Sequence, residues 1–380
     1  MMPLSEKITQ YAGIVQQETE QIIRDLCAIP APSRHEEKRA EYCRDWFLAN
    51  GFENVFIDDA LNVIVPVNIR EGEDLTVIMA HTDTVFPDME TMPFSEKDGF
   101  MYSPGITDDT ANLAVMMVCA RFFRENLPAG SGSYLFAANS CEEGLGNLKG
   151  VRKVMEKYGS QVREFITLDS ACMNHVVVDA VGSHRYKVKV RTEGGHSFGD
   201  FGKRNAIHVL SSLIGQLYAL EVPVEGGSKT TYNVGQISGG TSVNTIAQDA
   251  EMLYEYRSDN RNCLAEMERL FYQTVETFRA SGADVDVEKL GDRPCAGNVD
   301  PEQFASLRKR IRESVRATLD GLEIHETSGS TDCNIPLSMG IASICFGVCR
   351  GGKCHTREEY LETASLSDGC RLLLDFLYRK

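Results

Sequence analysis

A chain of 380 residues with 42% hydrophobic and 25% charged side chains has ordinary globular composition, which excludes a disordered protein and exceeds what one hydrophobic core usually serves. The formal charge of −16 opposes nonspecific binding to nucleic acid or anionic membrane, because both reward clustered lysine and arginine. No RNA-binding signature and no apolar stretch of about 18 residues appears.

The opening run MMPLSEKITQ is too polar for the core of a signal peptide, so a cytoplasmic location is expected. The 12 cysteines, Cys27, Cys119, Cys263 and Cys345 among them, are scattered through apolar segments and read as small buried hydrophobes rather than disulfide partners. Cys349, Cys354 and His355 lie close together, but no second Cys or His pair stands at a matching distance for a zinc knuckle. Cys141 reads as a wall or packing residue rather than a nucleophile.

Along the chain, short continuous apolar runs alternate with helical segments up to about residue 183, the pattern of a sheet buried on both faces. His81 and Asp83 follow the run Leu75–Ala80. Asp108 and Asp109 precede the apolar helix ANLAVMMV. Glu142 and Glu143 follow Ser133–Ser140, Asp169 follows Phe165–Leu168, and His355 comes near the end. Alone, each has an ordinary explanation, such as an acidic turn ahead of a helix, where the helix dipole favours carboxylates. Together, at successive strand ends, they point to convergence on one crevice at the carboxyl edge of an open α/β sheet. Two imidazoles with several carboxylates suit zinc, cobalt or manganese.

Near residue 184 the rhythm changes. Tyr186, Val188 and Val190 alternate with Arg185, Lys187, Lys189 and Arg191, as in a sheet with one wet face. A helix near 205–220, strands near 230–237 and 249–257, a helix near 263–281 and a strand at 284–290 give a β-α-β-β-α-β order, expected to form a small ferredoxin-like α+β layer. The segment 291–297 reads as a return linker, and Pro301–Leu319 as a basic amphipathic helix. The expected organisation is therefore a first part of an α/β domain at 1–183, an inserted domain at 184–290, and the rest of the α/β domain at 291–380.

The segments MAHTDTV (79–85), GITDDT (105–110), SCEEG (140–144), TLDS (167–170), GGHS (194–197) and KCHT (353–356) resemble the M20 family of dinuclear metallopeptidases. The resemblance spans nearly the whole chain. It implies a zinc-peptidase-like domain with a mixed central sheet, interrupted by a smaller lid, and two divalent ions per chain. It makes Asp108 the bridging ligand, with His81 and Asp169 on one metal and Glu143 and His355 on the other. Asp83 would steady the His81 ring, as carboxylates do for metal-bound imidazoles. Glu142 would be the general base, taking a proton from the attacking water and passing it to the leaving amine. By the same resemblance the Asp108–Asp109 peptide is cis, His196 reaches the partner subunit's site in a homodimer formed through the lids, Asn244 and Arg257 contact a substrate carboxylate, and the loop around Ser330 borders the pocket. Thr110 and Ala111 stand where many members have Lys and Gly. That puts the subfamily in question without touching a ligand.

The function expected is hydrolysis of an amide bond in a small peptide, in the manner of a tripeptidase or aminopeptidase. Carboxypeptidase or N-acyl amino acid deacylase activity is the alternative. A non-catalytic relative would normally have lost a ligand or the base, and a serine hydrolase is disfavoured by the absence of a G-x-S-x-G elbow.

Overall fold

The computed structural model describes residues 3–128 and 130–379. It divides into two compact units, the larger formed by the residues up to Ala180 and from Gly297 onward, the smaller by Val181–Ala296.

The larger unit is built on an eight-stranded mixed sheet. Its strand order is Phe56–Ile57, Val63–Val67, Ser133–Asn139, Leu75–His81, Val162–Thr167, Ala342–Phe346, His175–Ala180 and His325–Gly329. The four central strands, from Ser133–Asn139 to Ala342–Phe346, run parallel. Their apolar runs are continuous because both faces are covered: Val77, Ile78, Met79 and Ala80 are all fully buried. The helices Leu4–Cys27, Asn112–Glu125 and Ser365–Tyr378 pack on one another. In the first, Ile8, Ala12, Val15, Thr19, Ile22, Ile23 and Leu26 are buried at steps of three and four, the spacing of one helix face. A small separate sheet pairs Phe100–Tyr102 with Tyr360–Glu362 and so joins two segments that flank the site described below.

In the smaller unit the strands Thr230–Gly239, Asp249–Ser258, Gly182–Arg191 and Asp284–Arg293 form one antiparallel sheet in that order, with helices Ala206–Tyr218 and Arg261–Ala280. This is the ferredoxin-like arrangement. Tyr186, Val188 and Val190 are buried with Leu210, Met267 and Phe271. Asn205 and Asn260 cap the two helices, each side chain accepting two N–H groups of the first turn. The last strand continues through residues 291–293 instead of giving way to a linker at 291. Its pairing with the strand Gly182–Arg191 resumes after a bulge at Lys289–Gly291 and runs to Arg293 opposite Ser183. The unit consequently spans more than 184–290. At its entrance Gly182 is required by close approach, since a Cβ there would lie 2.7 Å from both Cys295 Sγ and Leu264 Cδ2.

Among the described residues no helix is long and apolar enough to cross a membrane.

Candidate metal centre

Parallel neighbours end at the same level, so the side chains just beyond Leu75–His81, Ser133–Asn139 and Val162–Thr167 meet. His81 closes the first of these strands, Glu142 and Glu143 follow the second, and Asp169 follows the third. Asp108 comes from the irregular turn Ile106–Ala111 and His355 from the loop after Gly351–Gly352. All six lie in the larger unit. Ligand atoms of His81, Glu142 and Asp169 fall within 4.8 Å of one another, as do those of His81, Asp108 and Glu143. The two Asp108 oxygens face different imidazoles: Oδ1 is 3.0 Å from His81 Nε2 and Oδ2 is 3.0 Å from His355 Nε2. His355 Nε2 also lies 3.1 Å from Glu143 Oε1.

The electrostatics are those of crowded anions. Burial opposes charge on His81, but the charges of Asp109, Asp108 and Asp83 outweigh it and hold the imidazole cationic well above its usual range. The Asp108 and Glu143 carboxylates push His355 up to about 11. Burial would raise the Asp108 carboxyl, yet His355 and His81 hold it below the ordinary carboxylate range. Asp169 is driven well above that range by burial, then by the charges of Asp108 and Glu142.

The residues fit divalent cations. Glu143 Oε1 is buried and receives no hydrogen bond among the described residues, although His355 Nε2 is 3.1 Å away, so the two atoms approach without donor geometry. The donor set of imidazole nitrogens and carboxylate oxygens is the one zinc and similar ions take, and an ion would supply the positive charge that protonated imidazoles supply otherwise.

Asp83 differs in detail from a simple imidazole partner. The His81 Nδ1 contact is closest to the Asp83 backbone carbonyl, at 3.0 Å, with carboxylate Oδ1 at 3.4 Å. The carboxylate also accepts the backbone N–H of Glu142 at 3.0 Å and of Glu143 at 2.9 Å, and the Ser33 hydroxyl at 2.6 Å. The preceding N–H, that of Cys141, goes to Glu36 Oε1 at 2.9 Å. Cys141 sits at φ 58° and His355 at φ 63°, left-handed positions uncommon for non-glycine residues and often found at functional sites. Burial pushes the Cys141 thiol up to about 12, which disfavours its thiolate at neutral pH.

Several orienting residues escaped the sequence reading. Glu359 accepts the N–H groups of Gly105, Thr107 and Asp108. Asp109 accepts the N–H of His81 at 2.8 Å. Arg39 is fully buried and donates to the carbonyls of Ile29 and Thr82 and to Thr110 Oγ1. Thr110 in turn donates to the Gly105 carbonyl at 2.6 Å, so the residue that departs from the family pattern is wired into the turn. The only sequence cue was a buried-type environment around charged residues, which periodicity does not reveal. The Asp108–Asp109 peptide is cis.

His196, Asn244 and Arg257 belong to the smaller unit. There His196 is exposed, and its Nδ1 accepts the N–H groups of Phe198 and Gly199 at 3.2 Å, which leaves the proton on Nε2. The Ser197 N–H bonds the Asn244 carbonyl at 3.0 Å, bringing the two loops together. Arg257 bonds Glu255 through Nε and an amino nitrogen, at 3.0 and 3.2 Å. Ser330, in the larger unit, follows the strand His325–Gly329. The amides just after it are occupied locally, Thr331 N–H by Asn334 Oδ1 and Cys333 N–H by Thr331 Oγ1.

Known proteins resemble the chain along most of its length. The model of a family described as Peptidase family M20/M25/M40 matches residues 77–379. A succinyl-diaminopimelate desuccinylase of Corynebacterium glutamicum is 24% identical over 362 residues, covering 93% of this chain and 94% of the relative. The aminopeptidase PepT of Bacillus cereus superposes with a TM-score of 0.72 at 23% identity, over 95% of this chain and 98% of its own. The Bacillus subtilis protein YXEP, described as a dinuclear metal binding peptidase of the M20 family, gives 0.68 at 17% identity, over 96% and 98%.

Proposed function

The chain belongs to peptidase family M20/M25/M40 and is a metallohydrolase, and from that premise we propose that it cleaves an amide bond in small peptides as an aminopeptidase or tripeptidase, with two divalent ions, zinc in the first place, per chain. The observation that carries this reading is Asp108, whose two oxygens each lie 3.0 Å from a different imidazole. A carboxylate so placed has one oxygen for each of two ions. His81 and Asp169 would complete one site, Glu143 and His355 the other. Bound ions supply polarisation of the scissile carbonyl and bring the pKa of water down to about 7.

The chain's own residues divide the remaining work. Glu142, held by its main chain to Asp83, takes the proton of the attacking water and delivers it to the leaving nitrogen. Asp83 holds the His81 ring and the Glu142–Glu143 pair in one arrangement. His196, with its proton on Nε2, is a donor suited to a substrate carbonyl or its oxyanion. Arg257 and Asn244 are the proposed carboxylate contacts, and for Arg257 this requires a substrate anion to displace Glu255.

The smaller unit would act as a lid and as the contact between two copies. Phe198 and Phe201 are 89% and 91% exposed beside His196, and Val243 is fully exposed beside Asn244, an apolar tip of the kind that marks interfaces. The protein is proposed to be cytoplasmic, and its formal charge of −16 supports a reading without nucleic-acid or membrane partners.

A second reading, hydrolysis of an N-acyl amino acid, is favoured by the name of the desuccinylase relative. The test is mass-spectrometric product analysis with metal-supplemented enzyme, using a free tripeptide and an N-acylated dipeptide, each with and without chelator. Chelator-sensitive release of the first residue from the free tripeptide alone supports the aminopeptidase. Cleavage of the blocked substrate supports the second reading, and full activity after exhaustive chelation would sink both.

A further inference from the structure

We propose that Glu359 is a positioning residue that sets the bridging carboxylate of Asp108 against the His355 side of the metal centre. The inference rests on the two-ion reading of the site. Glu359 is fully buried. Its Oε1 accepts the N–H of Thr107 at 2.7 Å and of Asp108 at 2.9 Å, and its Oε2 accepts the N–H of Gly105 at 2.9 Å. A single carboxylate thus satisfies three main-chain donors of the turn that presents Asp108. These are donors at the start of a helical segment, where no intrahelical acceptor exists. Charge-assisted bonds of this type are the stronger class, and their loss leaves buried donors unpaired.

The same stretch continues the segment that carries His355. Strand Phe100–Tyr102 pairs with Tyr360–Glu362, and the ladder is extended by the Ser103 N–H to the Glu359 carbonyl at 3.2 Å. Thr107 Oγ1 adds a bond to the Tyr360 carbonyl at 2.8 Å. Glu359 follows His355 by four residues on this segment, so the side chain that grips the Asp108 turn is covalently close to the imidazole that faces Asp108 Oδ2. The turn is also tight against Thr84: a Cβ at Gly105, whose φ is 73°, would lie 2.5 Å from Thr84 Cγ2. The turn is thereby clamped between the His81–Thr84 segment and Glu359. Removing the Glu359 grip would free the turn from the segment that carries His355.

Partners that orient metal ligands typically account for about 10–100-fold in metal affinity or activity. The experiment compares wild type, E359Q, E359D, H355A and E359Q/H355A for bound zinc after dialysis against a fixed free zinc concentration, for kcat and KM, and for thermal unfolding of the metal-free chains. Wild type is expected to hold two ions. E359Q should hold about one, with kcat down about 10–100-fold and KM within about 3-fold. E359D keeps the charge but shortens the reach, and should bind the second ion about 10-fold more weakly even if E359Q fails to fold. The double variant should hold one ion, as H355A does.

Two ions bound with wild-type affinity in both Glu359 variants, whether or not stability falls, would overturn the inference while leaving the two-ion site intact. No ion in E359Q/H355A would place Glu359 on the His81 side and overturn it equally. A wild type that binds no ion would instead remove the reading of the site on which the inference depends.

Discussion

The Asp83 carboxylate lies 2.9 Å from the backbone nitrogen of Glu143 and accepts its hydrogen bond. Through this bond, and its twin to Glu142, a residue at the end of one strand fixes the main chain beyond its parallel neighbour. The carboxyl is held below its usual range: burial would raise it, but His81, Ser33 and the Glu143 N–H stabilise the anion more. Asp83→Asn puts an amide donor against donors that need an acceptor. Activity should fall about 10–100-fold with the circular dichroism spectrum unchanged. Wild-type kcat/KM in this variant would refute the role.

Glu142 is 5% exposed and stands within 4.8 Å of His81 and Asp169 ligand atoms. Glu142→Gln keeps its shape and removes its basicity. Both ions should remain bound while kcat drops about 10²–10⁴-fold, the range for loss of a general base. Loss of an ion from the variant, read by metal analysis, would make Glu142 a ligand instead.

Ten of the 12 cysteines are buried, leaving Cys172 and Cys354 partly exposed. Burial, followed by the charges of Asp108, Glu359 and Asp169, pushes Cys354 up to about 12. A colorimetric thiol titration at pH 8 should therefore find about one fast thiol in the native protein and all 12 after denaturation. Rapid labelling of Cys141 would contradict its burial.

In the smaller unit, Asp292 is held below its usual range by His184, at 3.3 Å, and Lys289, at 2.8 Å. A depressed carboxyl stabilises the fold above its unfolded value of about 3.9, and the contribution disappears as the pH falls toward the folded value. Asp292→Asn should lower the unfolding temperature at pH 7 by at most about 2–4 °C, since the group is half exposed and screened. The gap between variant and wild type should narrow progressively as the pH falls below about 4 toward the folded value. A gap that widens on acidification would reverse the sign assigned here.

Gly369 tests packing. An exposed helical glycine gains stability when replaced by alanine, by up to about 1 kcal/mol. Here a Cβ would fall on the Val348 carbonyl oxygen, so the helix Ser365–Tyr378 would have to shift. Gly369→Ala is expected to cost about 1–3 kcal/mol in chemical denaturation. A stabilised variant would mean that the helix packs differently.

The main elements and a set of candidate metal ligands are legible in residue type and order. Apolar runs such as Leu75–Ala80 are legible because burial on both faces leaves no polar position, and the alternation at Tyr186–Val190 is legible because one face is wet. His81, Asp108, Glu142, Glu143, Asp169 and His355 stood out because their types and order fit metal chemistry at strand ends. Tertiary structure alone decided how those groups are held. Glu359 reaches the Gly105 amide from 254 positions away, Glu36 meets the Cys141 amide across 105, and Arg39 finds the Thr82 carbonyl across 43. Such bonds join side chains to main-chain atoms, which every residue carries, so neither periodicity nor residue type announces them. The extension of the last strand of the smaller unit to Arg293 belongs to the same class, since a neighbouring strand supplied the partners that its own sequence did not signal.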